Sequence, residues 1–244
     1  MRRGLRPPRR LESNKVRGVK RRQALPKLVA LLLPGLGAGA ARAQLGEADA
    51  AAGIRATLER GALAAVGLLG RPDGFLGNPK VRIPLPGFLN DAARLLKATG
   101  QGRRVDELLM AMNRAAEAAM PEAKALLVQT VKQVSVQDAL KIVRGGDTAV
   151  TEFFAGRTRE PLGVRFLPIV SRATERVALA DKYNALAAKA SGLGLLKKED
   201  ANLQQYVTGK ALDGLYLMIG EEEKKIRADP VGTGSAILKK VFGR

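Results

Sequence analysis

Apolar side chains return at three- and four-residue intervals through nearly all of residues 49–228, and only one stretch breaks that rhythm for long. It reads Gly74-Phe75-Leu76-Gly77-Asn78-Pro79-Lys80-Val81-Arg82-Ile83-Pro84-Leu85-Pro86. Each of its three prolines removes a backbone donor and holds the preceding residue extended. With no strand pattern to offer a sheet, helices with one apolar stripe bury it against other helices. Ala and Leu dominate the composition and β-branched runs are few, which favours helix throughout. These features predict an all-α fold: a single multi-helix globular domain with one long Pro/Gly-rich loop, preceded by a signal peptide.

The pattern places helices at residues 49–69, 88–97 and 103–119, with Pro121 opening another that runs to about 134. Ser135 and Asp138 resemble a capping box for a helix over 136–144. Asp147 is the expected cap of a helix over 148–157. Pro161 opens the next helix, interrupted near Pro168 and continuing towards Ala190. Residues 191–194 read as a turn, and 202–206 lead into a long helix over 207–228. After Gly232-Thr233-Gly234-Ser235 comes a short amphipathic end. That glycine-rich step could offer amides to an anion, but it lacks the P-loop lysine, and Ser235 as an ordinary N-cap accounts for it.

Residues 1–43 read as a removable address. Lys20-Arg21-Arg22 precede a short apolar run, Leu28-Val29-Ala30-Leu31-Leu32-Leu33, and Ala41-Arg42-Ala43 follows as a cleavage site. Arg21 and Arg22, with Leu25 three residues on, resemble a twin-arginine export signal. Ala24 is smaller than that motif usually carries. The apolar stretch from Leu28 to Ala41 is too short and glycine-rich for a membrane span, which needs about 20 residues. The mature chain is therefore expected to begin at Gln44, without a transmembrane span, in the periplasm or otherwise exported, after handling by an export translocase. Translation is expected to start later than Met1, at Val19; finding residues 1–18 in the intact mass of the precursor rules that out.

Charge supports the same division. Twelve of the 42 basic residues but only one of the 23 acids fall in residues 1–43, so that segment carries +11 of the net +19. The remaining +8 is basic without being extreme, and 4% aromatic content leaves few stacking platforms for bases. Nucleic acid is disfavoured as a partner. The chain has no His and no Cys, which removes the commonest general base, the commonest zinc ligand and any thiolate chemistry. No metal site and no cofactor are expected.

Three groups of residues stand out as candidate sites. Asn78, Lys80 and Arg82 ride on the proline-stiffened loop, where recognition residues are often carried; the plainer reading of that loop, a structural strap covering helix ends, is slightly favoured. Asn113, Arg114 and Glu117 form a polar step on a helix otherwise built of Ala, Leu and Met, either a paired structural network or part of a site. Asp181, Tyr183, Asn184, Lys210 and Asp213 could support general acid–base hydrolysis if their helices met. The run Glu221-Glu222-Glu223-Lys224-Lys225 reads as a solvated face, and Gly214 and Gly220 as points of close helix packing.

Several ordered motifs also carry a resemblance. They are the 73–86 stretch, Met112-Asn113-Arg114-Ala115-Ala116-Glu117, Phe166-Leu167-Pro168-Ile169-Val170 and Tyr183-Asn184-Ala185-Leu186. Lys210-Ala211-Leu212-Asp213-Gly214-Leu215 and the stretch from Glu221 to Ser235 complete the set. Over nearly all of residues 45–243 the chain resembles the bacterial domain of unknown function 4197 family. That resemblance implies an exported helical protein of proteobacterial type and implies no activity. The expectation is a non-catalytic envelope protein that binds a partner, lipid or anionic polymer through a basic surface; the alternative is a carboxylate-dependent periplasmic hydrolase.

Overall fold

The computed structural model describes residues 38–175, 177–192 and 202–229. Among them are seven α-helices and one 3-10 turn, with no strand. The order is α1 (Ala38–Leu69), the 3-10 turn Gly87–Leu89, α2 (Asn90–Ala98), α3 (Gly102–Lys132), α4 (Val136–Arg144), α5 (Ala149–Thr174), α6 (Ala178–Gly192) and α7 (Leu203–Ala228). From Gly39 onward they belong to one compact unit, and the all-α expectation holds. No described helix is long and apolar enough to cross a membrane. Ala41 and Ala43 fall within α1, which begins earlier than expected. Arg21, Arg22, Leu25 and the 232–235 step lie outside the described residues.

Three prolines expected to start or interrupt helices instead sit inside them: Pro121 in α3, and Pro161 and Pro168 in α5. Each removes one backbone hydrogen bond. All three lie on the exposed side, and the bonds lost are those to the carbonyls of residues 117, 157 and 164. Arg157 and Val164 are themselves exposed, so water can serve their carbonyls. The buried stripe continues in phase through each proline, with Ala116, Met120, Ala123 and Leu127 in α3 and Phe154, Leu162, Phe166 and Val170 in α5. Burial of one continuous stripe outweighs a local break of about 3 kcal/mol.

The centre of the fold is α3 against α5 and α5 against α7, the two most extensive helix contacts among the described residues. α1 closes the bundle with Ile54, Leu58, Ala62, Ala65 and Leu69 turned inward. Its Gly61 comes close to Glu222 and Ile226 of α7, and Gly70, just past its end, to Met120 of α3. Arg55 donates two bonds, of 2.8 and 2.7 Å, to the Val134 carbonyl in the turn after α3.

Helix ends are fastened by side chains. Ser135 and Asp138 form the expected capping box at α4. Ser135 bonds first, then Arg157, hold the Asp138 carboxyl below its ordinary value. Asp147 does not cap α5: Thr148 occupies the cap position and its hydroxyl turns to Glu152. The first amides of α5 are served instead by Glu223 of α7, whose Oε2 accepts from Val150 N–H at 3.2 Å. Arg227 bonds Glu223 at 2.8 and 2.9 Å and also the Ile142 carbonyl near the end of α4. Burial raises the Glu223 carboxyl above the ordinary glutamate value, against the lowering effect of Arg227. Glu223 is thus a buried helix fastener, and the expectation of a solvated acidic face fails at this residue.

Glycine marks two close approaches in α7, as expected. A Cβ on Gly214 would lie 2.7 Å from the Phe75 ring and 3.3 Å from Val81, and one on Gly220 would lie 2.9 Å from the Thr151 hydroxyl. By contrast, exposed Gly67 in α1 has nothing within 4 Å of that position. Gly214→Ala is expected to cost about 1–3 kcal/mol through overpacking. Gly67→Ala should be neutral or stabilising by about 0.5–1 kcal/mol. Chemical denaturation of both variants checks the contrast.

Candidate functional site

The irregular stretch 70–86 is a strap laid over α3 and α7. It leaves α1 through a tight turn in which Asp73 has φ 62°. Gly74 is required there, since a Cβ would lie 2.4 Å from the Leu69 carbonyl oxygen. The chain then drops Phe75, fully buried, onto Gly214, with Val81 and Ile83 also in the core. A strap buried this deeply must find partners for its amides.

The Asn113–Glu117 step supplies them. Glu117 is 5% exposed, and its Oε1 accepts from Phe75 N–H at 3.0 Å and Leu76 N–H at 3.1 Å. Its Oε2 takes Arg114 at 2.6 Å, and Arg114 reaches on to Asp73 at 2.8 Å. Asn113, fully buried, clasps a single residue of the strap: Oδ1 accepts from Ile83 N–H at 2.8 Å and Nδ2 donates to the Ile83 carbonyl at 3.0 Å. A third bond from Nδ2 reaches the Leu109 carbonyl. The polar step therefore binds the protein's own backbone.

Across the strap, α7 provides the second set of anchors. The Tyr206 hydroxyl donates to the Pro84 carbonyl at 3.1 Å, and Asn78 Nδ2 approaches Met218 Sδ at 4.0 Å. Asn78 Oδ1 accepts from Lys80 N–H, which closes the local turn. Lys80 pairs with Glu221 of α7, and that contact, helped by Lys224, holds the Glu221 carboxyl below its ordinary value. Of the three loop residues picked out in the sequence, Arg82 alone has no side-chain hydrogen bond or ion pair among the described residues. It lines an open basin with Pro84, Leu85, Arg94, Lys97 and Leu109.

The hydrolytic candidates do not assemble. Asp213 is held on the surface by Arg159 and Lys210. Asn184 joins α6 to α7, accepting from Leu203 N–H at 2.9 Å and donating to Gln204 at 3.1 Å. Tyr183 is buried, while Asp181 is exposed. No group of three or more acidic side chains among the described residues is placed to hold a metal ion.

A feature that the sequence did not disclose lies beside the strap. Leu85, Leu89, Leu96, Val105, Leu108 and Tyr183 wall an apolar cavity of about 270 Å³ between α2, α3 and α6. Gln101, Arg104 and Lys182 stand at its edge, all exposed. Leu85, Ala93 and Val105 line both this cavity and the basin that holds Arg82. The two hollows therefore adjoin across these residues, and together they make up a cleft with cations on its margins.

Glu117→Ala is expected to lower stability by about 3 kcal/mol, because it strands the amides of Phe75 and Leu76 and leaves Arg114 with Asp73 as its remaining carboxylate. That is a drop in midpoint of roughly 6–12 °C for a domain of this size. Glu117→Gln keeps an acceptor and should cost clearly less. Thermal unfolding of the two variants followed by circular dichroism gives the comparison.

Residues 44–243 match the family described as Protein of unknown function (DUF4197). No curated protein and no solved structure matches the chain. The matched span takes in the strap, its anchors on α3 and α7, and every residue that lines the apolar cleft. By that match the chain belongs to the DUF4197 family of proteins of unknown function.

Proposed function

We propose that this protein is exported and acts in the cell envelope as a non-catalytic binding protein, taking an anionic ligand at the cleft beside the strap. The observation that carries the reading is the composition of the cleft margin. Arg82, Arg104 and Lys182 are exposed there, and among the described residues none of the three is paired with a carboxylate. Lys97 adds a fourth cation, in contact with Asp106 at 3.5 Å. Unpaired cations around low-dielectric walls focus field towards an anion.

The buried carboxylates support the same reading from the other side. Glu117 and Glu223 are both occupied by backbone amides and an arginine of their own helix. A hydrolase of the alternative kind needs two carboxylates facing one cavity. The described lining of the cleft contains neither Asp nor Glu. Export rests on the Arg21-Arg22 signal and the +11 charge that its removal would take away.

The test uses the full chain and a variant with Arg82, Arg104 and Lys182 all changed to Glu. Cosedimentation with phosphatidylglycerol vesicles at about 0.15 M salt is expected to fall at least tenfold in the variant. Both proteins keep the basic residues of 1–43, so a difference reports the cleft. Equal binding by the two, or none by either, overturns the proposal.

A further inference from the structure

The cleft is polar at its edge and apolar inside, and this division specifies a ligand more narrowly than charge alone. On the reading of an anionic-ligand cleft, we infer that the occupant is a single-chain amphiphile with a carboxylate head, of the fatty-acid class. Its tail enters the cavity walled by Leu89, Leu96, Val105, Leu108 and Tyr183, and its head meets Arg104 and Lys182.

Three observations carry this. The first is size: about 270 Å³ is nearly twice the roughly 150 Å³ of a dry apolar cavity that accepts benzene. It also lies just under the usual range for drug-sized ligands. The space suits one short chain. The second is the lining. Aliphatic side chains and the buried Tyr183 make the walls, while Gln101, Arg104 and Lys182, the polar members, are all exposed. A ligand with polarity along its length would lose hydrogen bonds to water inside; a hydrocarbon tail loses none.

The third is the mouth. Leu95 of α2 lines the cavity although it is 67% exposed, so apolar surface continues from the interior out to solvent. α2 is a nine-residue helix whose main packing is on α3 and the 3-10 turn before it. Among the described residues Arg104 is bonded only to neutral Gln101, at 3.1 Å, and Lys182 is bonded to no side chain. A carboxylate head would find two cations at that margin with no competing acid among the described lining residues. An uncharged or cationic head would leave them unanswered.

The experiment measures binding of octanoate, decanoate and dodecanoate to the full chain by isothermal titration, with decyltrimethylammonium as the cationic control. Affinity should rise about fourfold for each methylene until the cavity is filled. The cationic amphiphile should bind at least tenfold more weakly than decanoate. Ala93→Phe, a half-buried position on α2 that faces the cavity, should abolish the dependence on chain length. Arg104→Glu with Lys182→Glu should weaken decanoate at least tenfold with little loss of helix signal. Affinity independent of chain length, or unaltered in Ala93→Phe, overturns the amphiphile. If in that case phosphatidylglycerol vesicles still distinguish the native chain from the charge-reversed one, the anionic cleft stands without it. If they do not, both readings fall together.

Discussion

One buried carboxylate decides how the irregular part of this chain is held. Glu117 receives the amides of Phe75 and Leu76 on one oxygen and Arg114 on the other. A carboxylate this deep is costly unless its lone pairs are filled, and here three donors fill them. Much of what surrounds the strap follows from that anchor. The turn at Asp73 and Gly74 is drawn against α1, Phe75 is set into the notch above Gly214, and Val81 and Ile83 are carried on into the core. Asn113 then repeats the device one helical turn earlier, bonding both sides of a single strap residue.

The same logic recurs at the opposite side of the bundle. Glu223 and Arg227 on α7 serve the start of α5 and the end of α4, so a second carboxylate–arginine pair does for helix ends what the first does for the strap. In both places a helix turns a buried carboxylate to backbone groups that burial would otherwise leave unpaired. Both buried carboxylates among the described residues are taken up in this way. The cleft between α2, α3 and α6 shows the opposite character, with apolar walls and exposed cations at its edge.

Much of this architecture was legible in the sequence, and the failures have specific physical causes. The all-α fold, the strap and the Ser135–Asp138 cap could be read from period, proline spacing and capping chemistry. Helix continuity through Pro121, Pro161 and Pro168 could not, because the local cost of proline is visible in sequence while the buried stripe on the far side is a property of the packed bundle. Asn113 and Glu117 announced themselves as polar residues in an apolar helix. Glu223 was hidden by its acidic neighbours; its phase with Ile219 and Ile226, four residues before and three after, was the available signal. The cleft left no local trace, since its walls come from Leu85, Leu96, Leu108 and Tyr183, which meet only when α2 and α6 settle on α3.

The central claim is that the strap belongs to the core because Glu117 and Asn113 hold its backbone. Amide hydrogen exchange on the full chain tests it most directly, read at Phe75, Leu76 and Ile83. The account predicts that these three amides exchange as slowly as those of the buried α3 residues Ala119 and Leu127, although they lie outside any helix. Exchange as fast as that of the exposed turn at Gly100 would contradict it.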